Sequence, residues 1–179
     1  MHKNLADGTH ARNVGTAATS VTATEYGDGQ HHVTKLTLAS LALTIGDNVA
    51  LASGALIYTF PAGAMVVQST SINVGVTLTT GTPTTDTPEI GLGSTLASGA
   101  NATIGASAST DEEYMAGATT PVLADLAGTA ELFTFNADLA VEAAGARTVY
   151  LNIADTYADV DDTAATASGD IWIEWTLFA

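Results

Sequence analysis

Hydrophobic positions along this 179-residue chain recur with a period of two, not 3.6. Residues 71–80 are the clearest case. There Ile72, Val74, Val76 and Leu78 alternate with Ser71, Asn73, Gly75, Thr77 and Thr79, as on a strand with one buried face. Residues 148–154 place Val149, Leu151 and Ile153 on one face, and residues 131–137 place Phe133 and Phe135 together. Residues 170–178 put Ile171, Ile173, Trp175 and Leu177 on one side and Trp172 with Glu174 on the other. Shorter strands are expected at 35–38 and 56–60, the latter closed by Pro61-Ala62-Gly63.

Between these runs lie turn-rich segments. Residues 79–88 (TTGTPTTDTP) follow the long alternating strand, and residues 155–169 (DTYADVDDTAATASG) precede the last one. No βαβ alternation and no exact repeat is visible. The pattern predicts an all-β fold: an antiparallel β-sandwich, jelly-roll-like, with at most one short helix. Thr110-Asp111-Glu112-Glu113 fits a capping box, with Thr110 as N-cap and Glu113 three residues on. It also fits an acidic loop. Residues 1–20 show no usable periodicity and read as an extended N-terminal arm, mobile or ordered only against a partner. Residues 21–179 then form a single sandwich domain, long enough to bury about two-thirds of its unfolded surface.

Composition removes several functions. Nineteen acidic residues stand against four basic ones, Lys3, Arg12, Lys35 and Arg147, for a net charge of -15. Such a surface repels phosphate backbones, so no nucleic-acid partner is expected. The chain has no cysteine, which excludes a disulfide framework and thiolate metal sites. No apolar run is long enough to span a membrane, and no secretory leader is visible after Lys3.

Tests for chemistry find no site. There is no nucleophile elbow, and a Ser-His-Asp triad would have to use one of four histidines, two of them in the arm. Nineteen acids allow many carboxylate pairs, so pairing singles out no glycosidase site. His31 and His32 are adjacent on a strand and point to opposite faces, so they read as a partly exposed pair beside a turn, not a zinc site. Asp155, Asp159, Asp161 and Asp162 lack the calcium-loop spacing and read as a solvated acidic loop. Gly91-Leu92-Gly93 lacks the third glycine of a dinucleotide fingerprint and reads as a turn or bulge. Asn101-Ala102-Thr103 is a formal glycosylation sequon with no secretory context. We expect no enzyme, no cofactor and no metal. Trp172 beside Glu174 remains as a possible interface or glycan-stacking face.

Four phrases, in order, carry a family resemblance. They are residues 21–29 (VTATEYGDG) leading to 32–38 (HVTKLTL), then 54–63 (GALIYTFPAG), then 88–95 (PEIGLGST) with 97–100 (ASGA). The last is 149–155 (VYLNIAD), with its acidic loop and the 171–175 strand. With these the chain resembles the capsid decoration, or cement, proteins of tailed bacteriophages. The resemblance implies a β-sandwich subunit without catalysis that assembles symmetrically on the outer surface of an icosahedral virion shell. The expected partners are the major capsid protein and further copies of the chain, as a trimer. The arm would supply the capsid contacts, through Lys3, Asn4, His10, Arg12 and Asn13. The alternative is a tail or head-fibre component with a carbohydrate-binding face at Trp172 and Glu174. A polysaccharide-active enzyme on a jelly roll has no motif behind it.

Overall fold

The computed structural model describes residues 15–27, 30–45, 51–79, 88–100, 103–104, 110, 112–119, 131–144, 148–154 and 163–178. They form ten strands: β1 Thr16–Ala17, β2 Val21–Gly27, β3 His31–Ile45, β4 Ala52–Thr59, β5 Ala64–Leu78, β6 Glu89–Gly93, β7 Met115–Thr119, β8 Glu131–Ala144, β9 Thr148–Ala154 and β10 Thr163–Phe178. One sheet runs β2-β3-β10-β5-β8 and the other β1-β4-β9-β6-β7, with every neighbouring pair antiparallel. Counting β3 to β10 as eight successive strands, the sheets read first-eighth-third-sixth and second-seventh-fourth-fifth. That is the strand order of a jelly roll. The sandwich is therefore all-β, as the alternation predicts.

The core lies between the sheets. The long-stranded sheet contributes Leu36, Leu38, Ile72, Val74, Val76, Ile171, Ile173 and Trp175. The other contributes Ile57, Tyr58, Ile90, Leu92, Val149, Leu151 and Ile153, all buried. Trp175 is fully buried, with Phe60 edge-on at 5.3 Å and His32 stacked on it at 4.0 Å.

Two strands are longer than their alternation suggests, because bulges let the pattern change phase. On β3 the inward residues are His32, Thr34, Leu36 and Leu38, and then Leu41 and Leu43. The switch from even to odd positions falls at Ser40, whose φ is 53°, where β3 carries one more residue than β10. The Ser40 N–H is taken up by Ser168 Oγ at 3.0 Å. On β5 the inward set changes from Met65 and Val67 to Thr70, Ile72, Val74 and Val76, and the register slips at Gln68 on both sides. A one-residue slip would otherwise send the next apolar set to solvent.

Several expectations change. Residues 163–169 are not loop: they extend β10 along β3 and β5, with Ala165 and Ala167 buried. Alternating small residues make up this stretch, which is why it reads as a loop by composition. Residues 15–20, expected in the arm, lie against the sandwich. Thr16 pairs with Thr59, and Ala18 N–H donates to the Ile57 carbonyl. The capping box does not start a helix. The Thr110 carbonyl accepts from the N–H groups of Ser94 and Thr95, and residues 112–114 bend directly into β7. The Gly91 segment is strand β6, with a register irregularity between Ile90 and Leu92 against β7.

Gly169 lies at the register shift between β10 and β3 and pairs with Val74 of β5. Its φ is 141°, which L side chains rarely adopt. A Cβ there would fall on the Asn73 carbonyl oxygen and within 2.8 Å of Val74 Cα, both backbone atoms that cannot swing away. Gly169→Ala should cost about 2 kcal/mol or more and lower the thermal midpoint by roughly 4–8 °C. An unchanged midpoint in calorimetry would show that the bulge relaxes freely.

Candidate functional site

The two outer faces of the sandwich differ. The outer face of the β1-β4-β9-β6-β7 sheet is covered by residues 94–100 and 103–104. Asn152, fully buried on β9, accepts from the Ala97 N–H at 3.1 Å and donates to the Thr95 carbonyl at 2.9 Å. Gly54 on β4 leaves the space that the Asn152 side chain occupies. Thr148 Oγ1 donates to the Ser94 carbonyl, Ile104 N–H to Glu89 Oε2, and Ala52 N–H to the Gly99 carbonyl. Ala52, Ala97, Ile104 and Ala154 make a small apolar cluster beneath this cover.

The outer face of the long-stranded sheet has no such cover among the described residues. Period-two placement brings Asp170, Trp172, Glu174 and Thr176 of β10 to this face, each half-buried. Lys35 of β3 lies opposite Trp172, and its Nζ is 5.3 Å from the indole centroid. The same Nζ sits 2.9 Å from Asp170 Oδ2, while Thr37 Oγ1 donates to Asp170 Oδ1 at 2.7 Å. Tyr26 of β2 stacks with Trp172 at 5.9 Å and 26°. Glu174 is held at both oxygens, by His31 Nε2 at 2.9 Å and by Ser69 Oγ at 3.0 Å. His31 Nδ1 lies 3.2 Å from Thr176 Oγ1.

Burial opposes the charge on Asp170, but the hydrogen bonds from Lys35 and Thr37 and the Lys35 charge outweigh it. They hold the carboxyl below its ordinary value of 3.8. A lowered folded-state value contributes stability above the unfolded value and loses it as pH falls through the folded one.

Behind this face, inside the sandwich, runs a polar chain. Trp175 Nε1–H donates to Thr34 Oγ1 at 2.8 Å, and Thr34 Oγ1–H donates to Glu25 Oε1 at 2.7 Å. Gly15 N–H donates to Tyr58 OH at 2.8 Å, and Tyr58 O–H donates to the same Glu25 Oε1 at 2.7 Å. Indole and amide are donors only, so both hydroxyls must pass their protons toward Glu25, and Oε1 is an acceptor twice over. Glu25 Oε2 lies 4.0 Å from His32 Nδ1. Burial, then the Glu25 charge, push the Tyr58 phenol far above its ordinary value, so it stays a donor.

No protein-family model, curated protein or solved structure matches this chain. The functional reading therefore rests on the residues themselves. Trp172 and Glu174 share the outer face, as expected, and the structure adds Tyr26, Lys35, Asp170 and His31 around them. His31 and His32 do point to opposite faces, but His32 is buried and stacked on Trp175, not partly exposed. Lys3, Asn4, His10, Arg12 and Asn13 lie outside the described residues, as do Asp155, Asp159, Asp161, Asp162 and Asn101. Among the described residues no group of three or more His, Asp or Glu could hold a metal ion, and no helix is long and apolar enough to cross a membrane. The buried Glu25 was not singled out from sequence. Val21, Ala23 and Glu25 alternate on β2, and that alternation places Glu25 on the inward face.

Two measurements test this account. Tyr58→Phe leaves the Gly15 amide and one Glu25 lone pair without a partner, so it should cost about 1–3 kcal/mol. Hydrogen exchange at residues 15–18 should rise more than at β5; equal protection would disconnect Gly15 from the network. Lys35→Met should move the Asp170 titration up toward 3.8 in carboxyl NMR. It should also shrink the loss of stability on acidification below about pH 4. A titration that stays put would remove Lys35 as the cause.

Proposed function

We propose that this protein is a non-enzymatic virion structural protein, a decoration protein that binds the outer face of an icosahedral phage head. One observation carries the reading. The four phrases on which the family resemblance rests fall, in order, on β2–β3, β4, β6 and β9–β10, the framework strands of a jelly roll. Jelly rolls serve as capsid and lectin domains, and the fold alone chooses between no two functions. The resemblance supplies that choice.

The mechanism is bridging. A subunit that buries surface against several capsid proteins at once raises the cost of separating them, and so opposes the outward pressure of packaged DNA. Association as a trimer would place such bridges at local three-fold positions. The net charge of -15 suits a surface facing water, away from the DNA. The segment before Gly15 contains two of the four basic residues, Lys3 and Arg12, and is assigned the capsid contact. The first described strand, β1, begins at Thr16, so residues 1–14 can be removed without cutting a described strand.

The second reading keeps the virion and moves the protein to a tail or head fibre. The Tyr26–Trp172 pair, on a sheet face that no described residue covers, favours it. Copy number and position in purified virions separate the two. Abundance comparable to the capsid protein, on the shell, is expected; a few copies at the tail would overturn the decoration reading. Deleting residues 1–14 should abolish binding to undecorated capsids while circular dichroism keeps the β-sandwich spectrum. Wild-type occupancy by the truncated protein would remove the N-terminal segment from the contact.

A further inference from the structure

We propose that the outer face of the long-stranded sheet binds a neutral oligosaccharide, packed against the Tyr26–Trp172 pair and hydrogen-bonded by Asp170, Glu174 and Lys35. This site stands whether the protein sits on the head or the tail, so it does not rest on the decoration reading.

Three observations carry the proposal. The first is rigidity. All four carboxylate oxygens of Asp170 and Glu174 are oriented by Lys35, Thr37, His31 and Ser69 at 2.7–3.0 Å. Exposed ion pairs add little to stability, so two carboxylates fixed this fully on an open face are not accounted for by folding alone. Acceptors held in place before the ligand arrives are what hydroxyl recognition needs.

The second is shape. The rings of Tyr26 and Trp172 stack on each other at 5.9 Å and 26°, with Lys35 over the indole, so they stand as one aromatic pair whose outward sides lie beside polar groups. A pyranose has a matching division: an apolar C–H face and a rim of hydroxyls. Asp170, Trp172 and Glu174 follow one another at every second residue of β10, so the carboxylates stand about 13 Å apart along the strand, the span of a short oligosaccharide.

The third is charge. An anionic ligand would meet the carboxylates of Asp170 and Glu174 on the face itself. A cationic peptide would have to displace Lys35 and His31, which already sit 2.9 Å from the two carboxylates. A neutral polyol can use the remaining lone pairs of the carboxylates and the Lys35 ammonium protons without breaking either pair.

The test uses the full chain with maltohexaose, cellohexaose and chitohexaose as neutral probes, alginate oligosaccharide as an anionic one and oligolysine as a cationic one. Calorimetry reads affinity, and tryptophan fluorescence reads the site, because Trp175 is buried and Trp172 half-exposed. At least one neutral hexasaccharide should bind at millimolar concentration with a fluorescence change. Trp172→Ala should weaken it by about tenfold or more. Asp170→Asn, which keeps the side-chain shape, should also weaken it, with the thermal midpoint near wild type. The proposal is overturned if no neutral probe binds the folded protein, if Trp172→Ala and Asp170→Asn both bind as wild type, or if only alginate or oligolysine binds. Should Trp172→Ala fail to fold, Asp170→Asn alone decides.

Discussion

The structure depends on the pairing of β10 between β3 and β5. This last strand is the middle of its sheet, and β9, just before it, is the middle of the other. Neither sheet can close until the C-terminal residues are in place. Pairings such as Thr176 with His31 span most of the chain, the kind of non-local contact that slows folding. The strand is built for this position. Its inward face carries Ile171, Ile173, Trp175 and Leu177 at one end and only Ala165 and Ala167 at the other. Bulges at Ser40 and Gln68 in the two neighbours keep them in phase with it.

The same strand links the inside of the sandwich to its outer face. Alternation sends Trp175 inward and Trp172 with Glu174 outward. The inward tryptophan ends the polar chain through Thr34 and Glu25 to Tyr58 and Gly15, which ties β10, β3, β2 and β4 to the start of the described chain. A buried carboxylate is costly unless its lone pairs are engaged. Glu25 meets that condition at Oε1, which takes both hydroxyl donors, while Oε2 has no hydrogen-bond partner and faces His32 Nδ1 at 4.0 Å. Packing the indole of Trp175 between His32 and Phe60 holds the donor that starts the chain. The outer face is thus presented by strands whose inner faces are locked together.

Much of this was legible in the sequence, and what was not has physical causes. Period two gave the strands wherever large apolar residues alternate, as at 71–80 and 171–177. It failed at 163–169, where buried alanines alternate with small polar residues and look like loop composition. It failed again across Ser40 and Gln68, where a bulge changes which residues face inward, although the shift from Leu38 to Leu41 is written in the spacing. Trp172 and Glu174 were found because they share a strand face. Tyr26, Lys35 and His31 join them only through the pairing of β2, β3 and β10, and no local pattern reveals that order. The acidic turn at 110–113 carries helix-start chemistry, yet it is consumed by tertiary contacts: the Thr110 carbonyl caps Ser94 and Thr95, and Glu113 accepts from Ser94 Oγ.

The charge asymmetry acquires a location from this arrangement. Lys35 is the only lysine or arginine among the described residues, and it stands on the uncovered face. There it neutralises Asp170 and touches Trp172, while His31 engages Glu174. The field of the many remaining acids is screened within about 8 Å at physiological salt. A ligand approaching this sheet therefore meets local pairs first and the net charge of -15 only as a weak background. On the described surface, this is a patch where contact carries little electrostatic cost. That patch coincides with the two aromatic rings that can gain from contact.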